Sequence, residues 1–157
     1  MVSWQLGAAR VNELLTGGNL DYVQGISADG GPLLASAAGL LQSATREANV
    51  NPEAAYVLAY DAARKACAAL LAQQGLRTKA SGHHVTTEEV VRAQFGGPFD
   101  AFGALRRRRA EIEYPRHPGE DVSPNEAAEA IESARTIIDA AAALIGQLSM
   151  YNAGGSS

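Results

Sequence analysis

The chain has 157 residues, 46% of them hydrophobic, 19% charged and 6% aromatic, with a net charge of −4. That is one domain with enough apolar surface for a single core, and no global positive field to draw it to nucleic acid. A single cysteine, Cys67, excludes an internal disulfide and fits a reduced, cytoplasmic protein; the amino terminus has neither a basic nor an apolar export region.

Residues 3–16 read as an amphipathic helix, because Trp4, Ala8, Val11 and Leu15 share one face with Leu14 beside them, and Gly17-Gly18 ends it. A loop follows to Gly31. The stretch Gly31–Thr45 is free of charge but too short and too rich in Gly and Ser to span a bilayer. Pro32 instead opens a second helix with Leu33, Ala37, Leu40, Leu41 and Ala44 in period, reaching about Asn49. Asn51-Pro52-Glu53 is the start signal of a third helix running to Gln74 with Gly75 as its stop. Its circumference is mostly Ala and Leu, so it is expected at the centre, with Tyr56, Tyr60, Asp61, Arg64 and Lys65 as a solvated strip or, alternatively, a polar pocket or dimer contact.

Residues 76–85 are expected to be loop. The adjacent pair His83-His84 lacks metal-ligand spacing. Thr86-x-x-Glu89 reads as a capping box opening a short helix with Val90, Val91 and Phe95 inward, broken by Gly96-Gly97-Pro98. A helix from about Phe99 then carries Phe102, Leu105 and Ile112 on one stripe and the run Arg106-Arg107-Arg108-Arg109. At about 100° per residue Arg109 falls about 40° from Leu105, on the inward side, whereas Arg106 and Arg107 point to solvent. Pro115 stops this helix near Tyr114. Ser123-Pro124, with Glu126 following, starts the last helix, whose stripe is Ala127, Ile131, Ala134, Ile138, Ala141, Ile145 and Leu148. Residues 150–157 are expected to be a disordered tail. No strand alternation stands out, and the fold class is all-α: a single-domain, up-and-down bundle of about five helices.

Ala54-Ala55-Tyr56 on the central helix, Gly82-His83-His84, the segment from Leu105 to Pro115 and Glu129-x-x-Glu132-x-Ala134 together resemble the HEPN superfamily, the higher eukaryotes and prokaryotes nucleotide-binding domain, over residues 3–149. The resemblance implies a helical bundle that dimerises, acting as a metal-independent ribonuclease or as the partner of a small nucleotidyltransferase. Nuclease members carry an arginine and, after four to six residues, a histidine. Arg109 matches that arginine and Ala110 to Glu113 the spacer, but Tyr114 stands where the histidine should be.

RNA cleavage through the 2′-hydroxyl needs a group that exchanges a proton near neutral pH, which an imidazole (about 6.5) does and a phenol (about 10) does not. A tyrosine can still donate to phosphate, and an arginine can clamp it with two parallel hydrogen bonds. The expectation is therefore binding without catalysis: Arg108, Arg109, Tyr114, Arg116 and His117 hold a nucleotide or RNA phosphate, or a partner protein, in a homodimer with no cofactor, metal or membrane. One alternative is a dimeric ribonuclease with Arg109 and Tyr114 as catalytic residues, aided by His117 or His84. The other is a structural bundle in which Arg109 and Tyr114 close the core through Glu111 or Asp61.

Overall fold

A computed structural model describes residues 6–79 and 83–152. Among these residues the chain forms six α-helices and one two-stranded sheet. The elements are α1 (Ala8–Thr16), β1 (Leu20–Tyr22), α2 (Gly31–Glu47), α3 (Pro52–Gln73), β2 (Leu76–Thr78), α4 (His83–Phe95), α5 (Ala101–Glu113) and α6 (Pro124–Ile145). The all-α reading holds, in a single body built around α3.

The reason is visible along α3. Asn51 caps it by accepting from the Ala54 amide at 3.2 Å, Pro52 sits in its first turn, and Gly75 leaves it at a φ of 74°. Ala55, Ala59, Ala62, Ala63, Ala66 and Ala69 are all fully buried, so α2 and α6 approach this helix across methyl groups on more than one side. The N-terminal end of α2 comes so close that a Cβ on Gly30 would fall on the Ala69 carbonyl, while the Gly30 amide donates to Gln73 Oε1 at 3.0 Å. On the far side α6 starts where Ser123 accepts from the Glu126 amide at 3.1 Å, and its face of Ala127, Ala130, Ile131, Ala134, Ile137, Ile138 and Ala141 is buried. Cys67 is buried in this core, and burial pushes its thiol upward, out of the reactive range.

Four expectations are corrected. The stretches beginning at Asn19 and Leu76 are not wholly loop: β1 and β2 pair antiparallel, Leu20 opposite Thr78 and Tyr22 opposite Leu76. Three residues per strand are too few to display alternation, yet Leu20 and Leu76 are buried while Arg77 is exposed. α4 begins at His83 rather than at Thr86, so Thr86 and Thr87 are buried inside the helix and Glu89 accepts from Arg10 Nε at 2.8 Å. Tyr56 and Tyr60 are 5% and 0% exposed, not part of a solvated strip. Tyr151, expected in the frayed tail, is buried; its hydroxyl donates to Asn12 Oδ1 at 2.8 Å and its amide to the Gln74 carbonyl at 2.8 Å, tying the C-terminal segment to α1 and α3. The first helix is described only from Ala8, so Trp4 lies outside the described residues. Among those residues no helix is long and apolar enough to cross a membrane.

Candidate functional site

The 3₁₀ turn Gly97–Phe99 buries Phe99 and aims α5 across α3, where Phe102 and Leu105 enter the core. That seating decides where each arginine of the run can go, since successive residues are rotated by about 100°. Arg106 is only partly exposed, not turned wholly to solvent as expected. Its Nε donates to Glu88 Oε2 at 2.6 Å, and Glu88, only 6% exposed on α4, is shared with Arg92 at 3.3 Å. Gly103 makes room for this: a Cβ there would collide with the Glu88 carboxylate. Arg107 is exposed, as expected.

Arg108 is half-buried. Its Nε donates to Glu126 Oε1 at 2.5 Å, its Nη1 to Glu111 Oε2 at 3.3 Å, and its Nη2 to the Glu120 carbonyl at 3.3 Å. One side chain thus ties α5 to the first turn of α6 and to the connecting loop. The hydrogen bond to Glu126 holds its guanidinium even more firmly in the charged form. Arg109 pairs with Glu113, one turn along, and not with Glu111 or Asp61. Its Nε is buried and has no hydrogen-bond partner among the described residues.

Arg109 lines a cavity of about 180 Å³ together with Arg106, Ala110, Tyr60 of α3 and Val85 of α4. Tyr60 stacks on Phe102 with ring centroids 5.7 Å apart, which fixes the wall. Burial pushes the Tyr60 phenol up to about 12, against the opposing pull of the nearby Arg64, Arg109 and Arg106 charges. Arg64, one helical turn beyond Tyr60, stands 3.9 Å from Asp61 Oδ1 through its Nε, too far for a hydrogen bond, and that Nε is likewise buried without a hydrogen-bond partner among the described residues. Two arginines of α5 therefore line a cavity against one buried tyrosine of α3, with Arg64 one turn further along that helix.

The other expected site residues are not brought to this cavity. Tyr114 caps α5 with its amide donating to the Ala110 carbonyl at 2.9 Å, and is 74% exposed. Arg116 is exposed. His117 lines a separate cavity of about 190 Å³ with Glu53, Glu120 and Asp121, an acidic setting that repels phosphate. Arg108 lines a third, of about 320 Å³, with Tyr56, Glu126 and Glu129. The side chains of His83 and His84 lie outside the described residues. Among the described residues no group of three His, Cys, Asp or Glu side chains is placed to hold a metal ion.

Sequence reasoning missed Glu88 and gave Tyr60 a place in a polar pocket only as the alternative to a solvated strip. The i, i+4 spacing of Tyr60 and Arg64 on an otherwise apolar helix was the available signal, and it points to one shared face rather than to solvent. Comparison of the chain with protein-family models, curated proteins and solved structures gives no match.

Proposed function

We propose that the protein is a HEPN-like helical domain that binds the phosphate of a nucleotide or RNA at the Arg106–Arg109 cavity, without cleaving it. The observation that carries this reading is the Arg109 side chain, which lines a cavity with Arg106 while its Nε has no hydrogen-bond partner among the described residues. A guanidinium has five N–H donors, so the pairing of Nη1 with Glu113 leaves terminal N–H groups that an anion entering the cavity would engage. In an acidic chain such a locally cationic recess is where an anion gains most.

Among the described residues, no histidine lines this cavity to act as a base. Tyr114 faces solvent, and His117 belongs to the acidic cavity. A structural role fits Arg106 and Arg108, whose carboxylate partners bridge α5 to α4 and α6. The homodimer and a nucleotidyltransferase partner remain proposals carried by the resemblance alone.

The test is binding of a single-stranded RNA and of a mononucleotide at several salt concentrations. Arg109→Gln is expected to weaken both about tenfold and to lower the salt slope for RNA by about 0.7. Arg116→Gln is expected to change neither. Equal binding by wild type and Arg109→Gln overturns the reading. Metal-free RNA cleavage that disappears in Arg109→Gln would replace it with the ribonuclease alternative.

A further inference from the structure

We infer that the cavity between α3, α5 and α6 binds a primary alkylammonium group, held by Tyr56, Glu129 and Ser133. This site is separate from the Arg106–Arg109 cavity and does not rest on the phosphate reading. The cavity has a volume of about 320 Å³, and Arg108 and Glu126 stand in its wall with those three residues. Glu126, Glu129 and Ser133 follow one another at intervals of three and four residues on α6, so they share one face of that helix. Tyr56 enters the same wall from α3, and the buried Leu105 and Ala130 add apolar surface to it.

The arrangement leaves acceptors unused. Tyr56 is 5% exposed, yet its hydroxyl makes no hydrogen bond among the described residues. A buried polar group in that state costs free energy until a partner arrives. The charges that act on its phenol are those of Glu126, Arg108 and Glu111, which places the hydroxyl end on the cavity side. The half-buried Ser133 hydroxyl is also without a hydrogen bond among the described residues. Arg108 engages Glu126, Glu111 and the Glu120 carbonyl, so the charge of Glu126 is matched. Glu129 is exposed and has no ion pair among the described residues, which makes it the unmatched charge of the wall.

A primary ammonium carries one positive charge and three N–H donors. Glu129 offers the opposite charge, and its carboxylate with the Tyr56 and Ser133 hydroxyls offers three acceptors. An anion would instead meet the carboxylates of Glu126 and Glu129. A volume of about 320 Å³ lies at the lower end of the roughly 300–1,000 Å³ of small-molecule pockets. That accommodates an ammonium and a short alkyl chain laid against Leu105 and Ala130. The ligand class is thus a primary alkylamine, either free or as the end of a lysine side chain.

The experiment titrates n-butylammonium, n-butyltrimethylammonium and a short end-capped peptide with one central lysine into the protein while the amide chemical shifts of α6 are followed by NMR. It uses wild type, Glu129→Gln, Tyr56→Phe and Ser133→Ala, with circular dichroism to confirm that each variant is folded. The expected result is that n-butylammonium binds about tenfold tighter than its trimethyl counterpart, which keeps the charge and lacks the donors. Glu129→Gln and Tyr56→Phe each weaken n-butylammonium about tenfold and Ser133→Ala about threefold. With that pattern, tighter binding of the peptide than of n-butylammonium identifies the source as a lysine side chain, and the reverse identifies a free amine. Equal affinity for the two butyl compounds leaves only diffuse charge attraction and overturns the inference. Binding that is unchanged in both Glu129→Gln and Tyr56→Phe overturns the assignment to this cavity. Absence of binding to all three probes overturns it outright, with the phosphate reading untouched.

Discussion

The α2–α3–α6 layer and the α4–α5 layer are built from different interactions. In the first, helices touch through alanine methyl groups and a glycine, with Ile131, Ile137 and Ile138 filling the remaining space. In the second, α5 is anchored by Phe102 and Leu105 but oriented by ion pairs: Arg106 to Glu88 on one side, Arg108 to Glu126 on the other. Close alanine packing seats α2 and α6 on α3 with few polar side chains between them. A layer oriented by charge leaves donors partly used and cavities between side chains, and the candidate site occurs there.

The largest effect that separates the layers is a cavity in the dry one. Ile137→Ala, at a fully buried position of α6, is expected to cost about 2–5 kcal/mol in thermal or denaturant unfolding. Its loss should be insensitive to salt. A cost below about 1 kcal/mol would mean that the layer is loosely packed.

Next comes Glu88→Gln, which removes the carboxylate shared by Arg106 and Arg92. Loss of these charge-assisted hydrogen bonds is expected to cost about 1–3 kcal/mol. The stability difference from wild type should shrink in high salt, because Arg106 and Arg92 retain contact with solvent. A salt-independent loss would place Glu88 in the dry regime.

The smallest effect at neutral pH is at the seam between the layers, where Tyr56 and Tyr60 point from α3. Burial leads in pushing both phenols from 10 up to about 12, helped at Tyr56 by Glu126. A raised folded-state value means that the folded protein keeps these protons. The stabilisation is fully present below pH 10 and is lost as pH rises through 10 toward 12. Spectrophotometric titration should show two of the five tyrosines ionising near 12, with alkaline unfolding over the same interval. All tyrosines ionising together near 10 in a folded protein would contradict the sealed seam.

Much of the fold was legible because it is written in local chemistry. Asn51-Pro52 and Ser123-Pro124 start their helices as caps do, Gly17 and Gly75 stand where helices end, and Pro115 stops α5 at Tyr114. Thr86 misled because a capping box is a local pattern, and the same residues also fit a helix interior. The site was legible only at Arg109. The four arginines look alike in sequence, and a helical wheel anticipates a direction but not the carboxylate that waits there.

By itself the sequence determined an all-α chain, the central place of α3 and the inward turn of Arg109, because periodicity, capping and the restrictions of proline and glycine act over a few residues. Only tertiary structure decided that Arg106 and Arg108 are taken by Glu88 and Glu126, that Tyr60 lines a cavity with Arg109, and that His117 is turned into an acidic cavity. Those outcomes depend on charges brought together from separate helices. Coulomb attraction and burial act through space, whatever the distance along the chain.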